Sequence, residues 1–315
     1  MSVDIRRAAP YVSVIGAVLI GLATFALVLP MLPADRDRLT SAADALDGGT
    51  SVLIVGTSHV YQAIRPHDLP MESVVLGVMD VDIDRLTEAA VTWGARLPRL
   101  STIIMELTPE VLLTDSSASA AGNASARQAA ALAKRCGVGC PTWLRRLHDA
   151  WYAELLIGER IEQLILGRHE DQARYEHLLP VRGYQPEYRI MTEGSIEDVS
   201  RNLMKPALST SPARVAPKER WQRAHDRLTQ INARPVTVLT MIPPRHPIYR
   251  SLWEKEAARR QLPELPAADF DFSTLFDANP ELFANPSHTN DDGARKLTEA
   301  LTEALCKRSH ECVRK

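Results

Sequence analysis

The chain has 315 residues, 45% of them hydrophobic, and a formal net charge of -2. That length suits one large globular domain or two modest ones, and the composition is not that of a disordered chain. Lys and Arg are balanced by Asp and Glu, with no basic stripe interleaved with aromatics, which excludes a phosphate-tracking surface and argues against nucleic acid as a partner.

Residues 1–10 lead into an uncharged run from Tyr11 to Pro33, YVSVIGAVLIGLATFALVLPMLP. At ~1.5 Å rise per residue it crosses a hydrocarbon core of about 30 Å. It is apolar on every face and longer than a buried core helix, so residues 11–33 are read as one transmembrane helix. A cleaved signal peptide is the competing reading. The run exceeds a usual signal-peptide core, and Leu32 stands two positions before Ala34, where a small residue is wanted. An uncleaved signal anchor is preferred, with residues 1–10 in the cytosol and residues 34–49 as a linker.

Charge leaves the orientation open, because Arg6 and Arg7 precede the span while Arg36 and Arg38 follow it. The cysteines point one way. There are four, the close pairs Cys136/Cys140 and Cys306/Cys312, and paired cysteines favour disulfides outside the cytosol. Neither pair has the C-x-x-C spacing of zinc ribbons, which ranks a metal site well below. Three pairings are open; local closure of each pair is preferred because both loops are short. The globular part, residues 50–315, is therefore expected on the extracytoplasmic side of a membrane, periplasmic or at the cell surface.

Along that part, SVLIVG reads as a first strand, SVVLGV (Ser73 to Val78) as a second and LSTIIMEL (Leu100 to Leu107) as a third. A stretch of helical spacing, DIDRLTEAAVTWGARL, separates the last two. Strands alternating with helices predict a parallel sheet. After Pro109 the sequence turns small and polar and then strongly helical, which reads as a helical insertion over about 116–232, with an aperiodic loop from about Tyr184 to Pro217. RWQRAHDRLTQI is a helix leading into the strand PVTVLTMI, and DDGARKLTEALTEAL is a final amphipathic helix.

The first strand runs into Gly56-Thr57-Ser58-His59. Ser58 is either a helix cap or a nucleophile at the carboxyl end of a strand, where ligand sites of open α/β sheets form. His288, in Asn285-Pro286-Ser287-His288, stands on a turn before the last helix and is expected at the same sheet edge. An imidazole there takes the serine proton as attack begins and returns it to the leaving group. His59 reads as a surface or substrate-contact residue, and His246, flanked by prolines, suits a structural loop as well as the active edge.

At these residues the sequence resembles the SGNH (GDSL-like) hydrolase superfamily, in particular its membrane-anchored members that work beside membrane-bound O-acyltransferases. The carrying motifs are Gly56-Thr57-Ser58 and Asn285-Pro286-Ser287-His288, with the flanking VGTSHVYQAIRP and TMIPPRHPIY; they span Ser51 to Leu107 and Val236 to Leu305. The resemblance implies a three-layer, flavodoxin-like α/β domain with a parallel sheet. It implies Ser58 as nucleophile, His288 as base and Asn285 where the superfamily has aspartate. The backbone N–H groups of Ser58 and Gly77 would serve as oxyanion donors. Two departures stand out: Asn285 carries no charge, with Asp277, Asp291 or Asp292 as conceivable substitutes, and MELTPE lacks the oxyanion asparagine after the third strand.

The expected activity is that of an anchored esterase or O-acyltransferase acting on a cell-envelope glycan or similar polymer, with no metal and no cofactor. The rival is a noncatalytic protein of the same fold that docks to a membrane-bound O-acyltransferase.

Overall fold

The computed structural model describes residues 42–43, 49–79, 81–113, 129–130, 182–192, 216–231 and 235–309. Two β-rich, glycine-ended runs begin it. Strand β1 (Val52–Gly56) is followed by a single helical turn, α1 (Ser58–Tyr61), and then by β2 (Ser73–Gly77). Helix α2 (Ile83–Gly94) opens with the Asp82 side chain accepting from Arg85 N and leads to β3 (Thr102–Glu106) and the short α3 (Pro109–Leu113). Helix α4 (Pro217–Leu228) precedes β4 (Thr237–Ile242). After α5 (Pro247–Arg260) come the two-residue β5 (Phe270–Asp271), the small antiparallel pair β6 (Phe283–Asn285) and β7 (His288–Thr289), and α6 (Asp291–Ser309).

The first five strands form one sheet in the order β2-β1-β3-β4-β5, every pair parallel. The register sets Gly56 beside Gly77 and Glu106 beside Met241, so the carboxyl ends of four strands share one edge. Residues of β1 alternate between two covered faces. Val52 and Ile54 join Ile104, Leu239 and Met241 against Leu297, Leu301 and Leu305 of α6. Leu53 and Val55, equally buried, face the other way, where α2 and α4 pack together. The stripe Ala294, Leu297, Leu301, Leu305 recurs every three or four residues, which is why α6 lies along the sheet rather than projecting from it.

Three findings refine the sequence reading. Helix α4, counted within the insertion, packs on α2 as part of the layer covering the sheet. Its Arg220 is buried and donates to Leu112 O (2.9 Å) and to Asp84 (2.9 Å). Residues 182–192, part of which was read as a surface loop, strap the sheet instead. Arg182 O accepts from Val75 N, Gln185 N donates to Tyr61 O, and Met191 N donates to Phe283 O. Helix α5 and the β6/β7 pair carry no strong period and were not anticipated.

The span 11–33, most of the linker 34–49 and most of the insertion lie outside the described residues, among which no helix is long and apolar enough to cross a membrane. Cys306 on α6 is disulfide-bonded; Cys136, Cys140 and Cys312 lie outside the described residues.

Candidate active site

Gly56 ends β1 because nothing larger fits: a Cβ there would stand 2.4 Å from a Val60 methyl and 2.7 Å from Glu106 Oε2. The chain then turns into α1 with Thr57, not Ser58, at the cap position. Thr57 does not cap with its side chain; its N–H and its hydroxyl both donate to Glu106 Oε2, at 2.6 and 2.9 Å. Ser58 is left as the first helical residue. Its hydroxyl meets His288 Nε2 at 2.8 Å across a sequence separation of 230.

His288 is delivered by the β6/β7 turn. Asn285 and His288 are cross-strand partners, and the Asn285 carboxamide oxygen closes the turn by accepting from Ser287 N (3.0 Å) and His288 N (3.1 Å). Those two N–H donors identify the atom as the oxygen. The Ser287 hydroxyl also donates to it at 3.0 Å. His288 Nδ1 lies 3.0 Å from this same oxygen and 2.8 Å from Ser287 Oγ, whose hydrogen is already committed. Nδ1 therefore carries the ring hydrogen and donates to both. Nε2 presents its lone pair to Ser58, the tautomer that accepts a serine proton.

The electrostatics keep that lone pair available. Burial, then the charges of His59, Arg245 and Arg189, hold the His288 pKa well below the ordinary imidazole value, with Glu110 pulling weakly the other way. Among the described residues no carboxylate hydrogen-bonds to the ring. Asp277 pairs with Arg250, Asp291 accepts from Tyr184, and the exposed Asp292 faces Arg295. None of the three takes the place of Asn285.

The residues that sequence reasoning missed sit on the other side of Ser58. Glu106, the last residue of β3, is completely buried and also accepts from Thr108 Oγ1 at 2.8 Å. Burial works against its charged form. The hydrogen bond and charge of His59, the Thr57 N–H and the Thr108 hydroxyl outweigh it and hold the carboxyl below its ordinary range. His59 is not a surface residue: its Nδ1 lies 3.2 Å from Glu106 Oε1, and its ring stacks on His288 with centroids 4.9 Å apart. The available signal was a glutamate ending an apolar strand, two residues before a threonine.

A second buried cluster braces the site. Arg245 makes a two-pronged contact with Glu110, 2.6 and 3.0 Å, and Tyr249 donates to the same carboxylate at 2.6 Å. Against the effect of burial, Arg245 and then His59 bring Glu110 down to about 2. His246 is structural: it caps α5 by accepting from Ile248 N at 3.3 Å, and its own N–H donates to Pro286 O, tying the β4 loop to the His288 turn.

Gly77 ends β2 beside Gly56, where a Cβ would lie 2.3 Å from the Tyr61 ring. Ring packing accounts for the glycine. Among the described residues no group of three or more His, Cys, Asp or Glu side chains is arranged to hold a metal ion. Comparison with protein-family models, curated proteins and solved structures gives no match to this chain.

Proposed function

We propose that the chain is a membrane-anchored, extracytoplasmic serine esterase or O-acyltransferase of the SGNH type, acting on a cell-envelope glycan or similar hydroxylated polymer. The observation that carries this reading is the Ser58–His288 contact, with the tautomer dictated by Asn285 and Ser287. The strand order 2-1-3-4-5 supports it at the level of fold, since that is the flavodoxin-like order, with its site at the carboxyl edge. In the proposed cycle Ser58 Oγ attacks an ester carbonyl as His288 Nε2 takes its proton. The imidazolium protonates the departing alkoxide, and a sugar hydroxyl or water then releases the acyl group by the reverse proton path. Backbone N–H groups at Ser58 and Gly77 are the proposed oxyanion donors. The uncharged run 11–33 supplies the anchor, and a membrane-bound O-acyltransferase is the proposed partner and acyl source.

The second reading, a noncatalytic docking protein of the same fold, is favoured by one feature: His288 leans on a neutral carboxamide where charge would stabilise an imidazolium. Incubating the full-length protein with p-nitrophenyl acetate separates the two. Turnover with an acetyl group trapped on the peptide containing Ser58 is expected; no turnover and no adduct would leave only the docking role.

A further inference from the structure

Burying a carboxylate is costly unless it is paired and fully hydrogen-bonded, so the company Glu106 keeps is informative. Of its four partners, three come from Thr57 and His59, the residues on either side of Ser58. The Thr57 hydroxyl gives its hydrogen to Glu106, so its oxygen is an acceptor toward His59 Nδ1 at 3.1 Å, as is Glu106 Oε1. Nδ1 of His59 therefore carries a hydrogen in either charge state. The ring so held lies nearly parallel to His288, 26° between planes, with only 11% of its side chain exposed. Among the described residues no partner meets its Nε2.

We propose that His59, held by Glu106, is a positioning residue for His288: its ring is the wall on which the base lies, and its protonation governs how readily that base takes the Ser58 proton. The proposal rests on the serine-hydrolase reading above. With one ring hydrogen, His59 and Glu106 together are negative and favour the positive charge that develops on His288. With a second proton on Nε2, the nearer ring is positive and opposes it. The other charges acting on His288 come from Arg245 after β4, Arg189 on the strap and Glu110 on α3, while its own turn offers only the neutral Asn285 and Ser287.

The test is the rate at which a fluorophosphonate probe labels Ser58 in the full-length protein, measured from mildly acidic to mildly alkaline pH. His59→Phe keeps a flat ring on His288 but removes the hydrogen bond and the charge, so the acid limb of the profile should move to higher pH. His59→Ala removes the wall as well, and the plateau should fall by roughly tenfold or more. Glu106→Gln should move the limb too; if that variant does not fold, His59→Phe decides. A wild-type protein that labels at Ser58, with a limb that stays put or moves to lower pH in His59→Phe, overturns the proposal and leaves the hydrolase reading standing. A wild-type protein that does not label at Ser58 overturns both.

Discussion

The two halves of the site are built in opposite ways. The loop of the proposed nucleophile, 56–59, is pinned by a buried, ionised carboxylate 49 residues away, through contacts as short as 2.6 Å. The turn of the proposed base, 285–288, is closed within four residues by one carboxamide oxygen that takes donors at 3.0 to 3.1 Å and bears no charge. Charge has been placed where it fixes Ser58 rather than where it would stabilise the imidazolium. The lesson is that position and basicity are separable, and that this site invests in position.

The strongest break is removal of either reacting group. Ser58→Ala and His288→Ala should each lower ester hydrolysis by about 10³-fold or more, with the double variant no worse than either, because the two act as a unit. Steady-state hydrolysis by the three purified variants checks this. Additive losses would mean that the 2.8 Å contact is incidental.

Next comes the nucleophile's anchor. Glu106→Leu leaves the Thr57 N–H and the Thr108 hydroxyl buried without an acceptor, a loss of about 3–5 kcal/mol by urea denaturation. Asn285→Ala should be milder, about 1–2 kcal/mol, since it opens an Asx turn in a short hairpin and orphans no buried charge. Equal losses would erase the distinction between the halves.

The same distinction explains what the sequence made legible. The glycine-ended first strand and the next three strands show in the sequence as apolar runs with defined ends, and the Asn-x-x-His turn is closed by hydrogen bonds within four residues. Glu106 is different. Its burial arises only because the parallel register brings the end of β3 beside the turn after β1, and no spacing within one segment carries that information. The surface position expected for His59 fails for the same reason, since its partners come from β3 and from the distant His288 turn. Helix α4 was drawn into the insertion by the long polar stretch before it; packing on α2 decides its place.

Charging the base's turn should sharpen the comparison. Asn285→Asp keeps an acceptor for Ser287 N, His288 N and Nδ1 and adds the missing negative charge. Hydrolysis should rise by roughly tenfold, a conservative share of the ~10⁴ that separates the two residues in a serine protease triad. A fall in kcat would show that the neutral turn is required.

Acid separates the clusters more gently. His288 titrates below the ordinary imidazole value, so its neutral form persists and hydrolysis should hold its plateau as pH drops past that value. The sign for stability is opposite: the unfolded chain takes that proton more readily, so the fold weakens as pH falls. Glu110, brought to about 2 against an ordinary 4.5, contributes stability that is complete above the higher value and drains away toward the lower. Urea midpoints measured down that range should fall, and Glu110→Gln should flatten the slope.

The central claim is that Ser58 is a nucleophile activated by His288. The measurement that meets it most directly is peptide mass spectrometry of the full-length protein after exposure to a fluorophosphonate. One phosphonyl adduct is expected on Ser58, lost in Ser58→Ala and strongly slowed in His288→Ala. An unmodified Ser58, or labelling that His288→Ala leaves at full rate, would contradict it.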